Sequence, residues 1–278
     1  MTTILDSTPP DRLRILATAE NAIAGLGNSD FGNEVSAAFH RERASIQKVE
    51  ECFEKLTSRA WSRPVLERFF HAWRDTHLTS NAVAAMTCRL MALAEQAEGQ
   101  PDRAVAFFSA ASETGKIIHE DLGLCGEAHA ELYYRLATNV CEGDEWERRR
   151  NRVPSAFEFR KWVLHQRVIA QDIQDGLETT IASEIYNHGE YTFAAPLFAP
   201  WLAREFGFTD QQVKRDLAYI VVHTGDTESG HFRHGVQALE YYCYGAQVTP
   251  DPIRLGARCS DYLRRVGDAF AGISARLN

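Results

Sequence analysis

The chain has 278 residues, 45% of them hydrophobic, and a formal net charge of −8. That length supports a large core, in one big domain or a domain with an N-terminal extension. No apolar run is long enough to span a bilayer, the N-terminus (MTTILDSTPPDRL) has no basic region followed by an apolar one, and the acidic balance carries no basic stripe. A cytoplasmic protein is therefore expected, with neither membrane nor nucleic acid as its partner.

Residues 1–33 hold Pro9, Pro10, Gly25 and Gly27, with a short helix expected near Arg12–Ile23; they are taken as an N-terminal extension, and 34–278 as the main domain. From Glu34 the pattern is helical. Ile46, Val49, Phe53 and Leu56 recur at three- and four-residue spacing. Ser62 and Pro64 open a helix carrying Val65, Leu66, Phe69, Phe70 and Trp73. Further helices are expected over Ser80–Ala97, Pro101–Gly123 and His129–Val140. After the charged loop Glu142–Pro154 come Phe157–Gly176, Leu177–Tyr186, Pro196–Phe206, Asp210–Thr224, Phe232–Tyr244 and Asp251–Leu277. No alternating strand pattern occurs, so the expected class is all-α. The six cysteines (Cys52, Cys88, Cys125, Cys141, Cys243, Cys259) are scattered without a CxxC pair, as reduced thiols would be.

Three stretches place ionisable groups against apolar runs. Tyr219–His234 packs His223, Asp226, Glu228, His231 and His234 into twelve residues. Glu228 and His231 share a helix face; His223 is one residue out of register, and Gly225 and Gly230 make a local distortion plausible. Ile117–Leu132 offers His119, Glu120, Asp121, Glu127 and His129, with Gly123 and Gly126 loosening the helical arithmetic. Thr179–Phe193 offers Glu184, His188 and Glu190, of which Glu184 lies between Ile181, Ala182, Ile185 and Tyr186. Inward imidazoles and carboxylates are expensive to bury unless paired, and a divalent metal pairs them well. A cysteine-free O/N set suits iron or manganese better than structural zinc. Taken singly, each of these groups also fits an exposed acid or a satisfied core histidine.

The order of the three stretches resembles the heme-oxygenase-like diiron oxidases and oxygenases, which are seven-helix all-α enzymes. "EDLG" followed by His129 is similar to the family's first motif, with Glu120 or Asp121 as its acid. "GLETTIASE" resembles the stretch ending in the bridging glutamate, here Glu184. "HTGDTESGH" resembles the third motif, with His223, Glu228 and His231, although it carries one residue more and Asp226 competes with Glu228. The resemblance spans about residues 45–275 and implies a heme-oxygenase-like seven-helix bundle.

It also implies two Fe(II) ions held by Glu120 or Asp121, His129, Glu184, His223, Glu228 and His231, with O2 as co-substrate. The implied activity is a non-heme diiron oxygenase of specialised (natural-product) metabolism. It would act on a small amine or amino-acid-derived metabolite by N-oxygenation or oxidative C–C cleavage. An external electron donor and a homodimer stand as open partners. Metal-free enzymes of the same fold, resembling thiaminase II and the pyrroloquinoline quinone synthase, are the alternative; the former needs a nucleophilic cysteine, for which Cys125 and Cys243 are the nearest candidates. A heme enzyme would need an early histidine, and only His40 is available. A non-catalytic helical binding protein is the remaining reading. Arg160, Lys161, Arg167 and Arg215 are cations that could meet a carboxylate, although each is more often a surface group.

Overall fold

The computed structural model describes residues 14–27, 29–77, 79–124 and 126–278, apart from the side chains of 226–228. The described residues are helical throughout and contain no strand. In chain order the helices are α1 (Ile15–Ala24), α2 (Asp30–Arg41), α3 (Arg43–Thr57), α4 (Arg63–His77), α5 (Ser80–Gln96), α6 (Pro101–Asp121) and α7 (His129–Val140). Then follow α8 (Pro154–Leu164), α9 (Ile173–Phe206), α10 (Asp210–Asp216), α11 (Ala218–Val222), α12 (Asp226–Ala246) and α13 (Pro252–Ser274). Among the described residues no helix is long and apolar enough to cross a membrane.

The seven-helix count implied by the resemblance is not matched, since thirteen α-helices are described, and two of the helices expected from the sequence are divided. The helix expected over 157–176 stops at Leu164, passes through a π turn (His165–Ile169), and restarts at Ile173. Asp172 caps the restart, its side chain accepting from the Gln174 amide at 2.9 Å. The helix expected over 210–224 breaks at Leu217 and again after Val222. In the opposite sense, the pieces expected before and after Pro196 are one helix of 34 residues, ending at Gly207 in the left-handed region (φ 64°). Proline removes an amide donor and usually kinks a helix. Pro196 and Pro200 stay inside α9 because Phe193, Ala194, Phe198, Trp201 and Leu202 around them are all buried. Packing on several sides outweighs the local preference.

Helix α9 is the axis of the bundle: α1, α3, α5, α12 and α13 all pack against it. The N-terminal helix belongs to this packing, since Ile15 and Ala19 are fully buried and Ile15 lies directly over Gly189 of α9. Within the core, Trp73 of α4 is surrounded by the rings of Phe53, Phe69, Phe70, Tyr133, Tyr191, Phe198 and Tyr219. Its indole N–H donates to Glu190 Oε1 at 2.9 Å. His77 Nε2 lies 3.1 Å from the same oxygen, and the Tyr186 hydroxyl donates to the other one. A buried carboxylate with three partners is a satisfied structural group, so Glu190 serves the core.

Candidate functional site

Four chain segments converge beside α9. The first is the end of α6. Asp121 is its last residue, and the chain reverses at Gly123, whose φ of +69° is a conformation that L side chains rarely adopt. The reversal lets α7 begin at His129 with Nδ1 3.0 Å from Asp121 Oδ1. A Cβ on Gly123 would lie 2.3 Å from the Ala128 amide nitrogen, whereas at Gly126 it would meet nothing. Gly123→Ala is therefore expected to destabilise the protein by about 2 kcal/mol or more, while Gly126→Ala leaves the denaturation midpoint nearly unchanged. Equal midpoints for the two variants would show that this loop does not hold the reversal.

The second and third segments are α11 and α12, joined through His223–Gly225. Gly225 takes φ 74° and ψ −136°, a conformation open to glycine alone, and this turn absorbs the odd spacing between His223 and His231. The His223 Nδ1–H donates to the Tyr219 carbonyl at 2.6 Å. That bond fixes the tautomer and leaves Nε2 with its lone pair free of a proton. The ring stacks on Tyr191 (centroids 4.2 Å apart, planes at 21°) and lies 4.4 Å from the His129 ring. Burial, and then the neighbouring His129, hold the His223 imidazole well below its usual pKa, so it is neutral.

The fourth segment is α9, which supplies Glu184. Its Oε1 accepts from Ser183 at 3.1 Å, and its Oε2 lies 3.6 Å from His231 Nδ1. The other nitrogen of His231 lies 3.0 Å from Glu120 Oε2. The adjacent acids at the end of α6 thus divide: Asp121 goes with His129, and Glu120 with His231. Glu184 touches both sides, since it lines one small cavity with Asp121, His129 and His223 and also meets His231.

That cavity has a volume of about 30 Å³ and a mostly polar lining, which includes His77, Thr79, Arg167, Asn187, Tyr191 and Tyr219. Arg167 was expected at the surface but is 1% exposed. The π turn carries it inward, as such turns often do at functional sites. Burial lowers its pKa, and the Glu184 carboxylate opposes that shift. His77 has no motif around it and was not singled out from the sequence.

Other expected candidates lie elsewhere. His234 Nδ1 pairs with Glu113 at 2.6 Å, Glu127 pairs with Arg135, and His119 is exposed. His188 is half-buried and lies outside the cavity lining. His40 is exposed and pairs with Glu20 at 2.7 Å. The side chains of Asp226 and Glu228 lie outside the described residues, as does Cys125. Among the described residues no three His, Cys, Asp or Glu side chains form a closed metal-binding group. The donors stand in pairs, imidazole against carboxylate. His231 Nε2 hydrogen-bonds Glu120, whereas the buried His129 Nδ1, 3.0 Å from Asp121, has no hydrogen bond among the described residues. Imidazoles and carboxylates together form an O/N donor set.

No family model matches the chain, and no curated protein matches it significantly. Among solved structures it is similar to the crystal structure of a TenA homologue from Pseudomonas syringae pv. tomato. The TM-score is 0.60 at 14% identity, over 89% of this chain and 92% of that one. The chain thus has a TenA-like all-α fold.

Proposed function

We propose that the chain is an O2-activating non-heme diiron oxygenase acting on a small amine or amino-acid-derived metabolite. The observation that carries this reading is the meeting of His129, His223 and His231 with Glu120, Asp121 and Glu184. These six groups come from α6, α7, α9 and the α11–α12 junction. His129, His223 and Asp121 would hold one ion, and His231 and Glu120 the other, with Glu184 between them and Glu228 as a further ligand of the resembling motif. When bound, the two Fe(II) ions supply electrons for the reduction of O2. The Tyr219 carbonyl orients the His223 ring, and the packed rings of Tyr191 and Tyr219 keep bulk water away from it.

A metal-free enzyme is the second reading, and the likeness to a TenA homologue favours it. A nucleophilic thiol is its requirement in the thiaminase-like form. Among the described residues no cysteine lines the cavity. Burial pushes the Cys141 and Cys243 thiols up, to about 12 and about 11, and raises Cys52 and Cys259 further still. Such thiols are poor nucleophiles and Cys88 is exposed, outside the cavity lining, so this reading would rest on Cys125.

Anaerobic titration of the metal-free protein with Fe(II) separates the two. Saturation near about two ions per chain, as in other carboxylate-bridged helical sites, followed by O2 consumption, is expected. No uptake of iron, together with an activity lost in Cys125→Ser, would replace the diiron reading with the metal-free one.

A further inference from the structure

We propose that Arg167 anchors a carboxylate, so that the molecule taken by this cavity is a carboxylic acid and not a simple amine. Arg167 is a wholly buried cation that forms no ion pair among the described residues. One terminal nitrogen donates to Thr79 Oγ1 at 2.8 Å, the other to Ser183 Oγ, and the buried Nε has no hydrogen-bond partner. Both partners are neutral hydroxyls. The other cations considered from the sequence each have a carboxylate: Arg160 meets Asp75 at 2.8 Å, Lys161 meets Glu158 at 2.6 Å, and Arg215 meets Asp216 at 2.7 Å.

A buried cation that touches no carboxylate directly is a costly arrangement. Glu184 and Asp121 act on Arg167 only from across the cavity, Glu184 by way of the Ser183 hydroxyl. Here the cation also lines the cavity that holds His129, His223 and Glu184. Asn187 Oδ1, on the same cavity, is likewise buried without a hydrogen-bond partner. The guanidinium is a planar fork suited to a carboxylate. The preformed space of about 30 Å³ exceeds the ~10–15 Å³ that one water-sized group needs. A carboxylate held there would leave its own chain beside His129 and His223. The inference deepens the oxygenase reading by naming a substrate class, but the anchor itself needs no iron.

The test uses the full chain stripped of metal with a chelator and titrated calorimetrically with propionate, propionamide and propylamine. Propionate is expected to bind one to one, and the two other probes at least tenfold more weakly. Arg167→Gln should weaken propionate at least tenfold, and Arg167→Lys, which keeps the charge without the fork, by less. Should the glutamine variant not fold, the lysine variant carries the comparison. Equal binding of propionate and propionamide, no binding of propionate, or wild-type propionate affinity in the arginine variants would each overturn the proposal. Iron titration of Arg167→Gln keeps the two readings apart, because Arg167 lies outside the donor set: the number of irons bound should be unchanged, even where loss of a cation near Glu184 shifts their affinity. Arginine-dependent propionate binding in a protein that takes up no iron would sink the diiron reading alone.

Discussion

Glu184→Gln is expected to abolish the binding of one or both iron ions and to leave the metal-free protein at least as stable as the wild type. The amide has the shape of the carboxylate and can keep the Ser183 contact to its oxygen, but it has no charge with which to bridge two cations. The loss of iron affinity should therefore exceed the ~10–100-fold that changes to the partners of metal ligands cause. Stability should move the other way. Glu184 is 6% exposed, and a buried carboxylate held for function is destabilising until its cation arrives. Iron titration gives the first quantity and chemical denaturation of the metal-free protein the second. Wild-type iron stoichiometry in Glu184→Gln would remove the bridging role. A large fall in stability without metal would make Glu184 a structural group of the core.

Trp73→Ala has the largest expected effect on the fold itself. The side chain is fully buried among at least seven aromatic rings. Emptying such a site costs about 3–5 kcal/mol. A second penalty adds to the cavity, because Glu190 loses its indole donor and a buried carboxylate is left with fewer partners. Tyr191 and Tyr219, which pack on Trp73 and also on His223, would lose their backing. Trp73→Phe keeps an aromatic ring and loses the N–H with part of the indole volume, so it should fall short of the alanine variant. The denaturation midpoints of the two variants measure the difference. A midpoint for Trp73→Ala within about 1 kcal/mol of wild type, the loss expected of an average substitution, would mean that the aromatic cluster is not a keystone of the core.

The all-α class and most helix positions were legible because the apolar spacing is regular. Ile46, Val49, Phe53 and Leu56 are all buried on α3, and α7 spans His129–Val140 as its pattern predicts. The misplaced boundaries lie where tertiary packing overrules local punctuation. Pro196 looks like a helix start and, like Pro200, is helix interior. The π turn has no sequence signature beyond ordinary helical residues, so the inward turn of Arg167 was illegible and the residue resembled its surface neighbours. At the site, the pairing of Asp121 with His129 depends on a reversal at Gly123 that ideal helical arithmetic does not contain, and that of Glu120 with His231 on the packing of α6 against α12. His77 had no partner in sequence; its partner Glu190 is more than a hundred residues away.

Helix α9 is enclosed by α1, α3, α5, α12 and α13, and most of its 34 residues are buried. Its exposed positions are confined to its C-terminal part (Pro196, Pro200, Ala203, Arg204). The rest, buried on all sides, cannot be stabilised by one neighbour alone, so it becomes secure only when chain segments from both ends of the sequence have closed around it. Glu184 rides on that helix. The geometry of the site is therefore a property of the whole cooperative unit, and the chain has no half that could keep it when cut away from the other. Opening that frees the Glu184 carboxylate would be global unfolding, and amide protons near Glu184 should exchange at the rate of the slowest in the molecule.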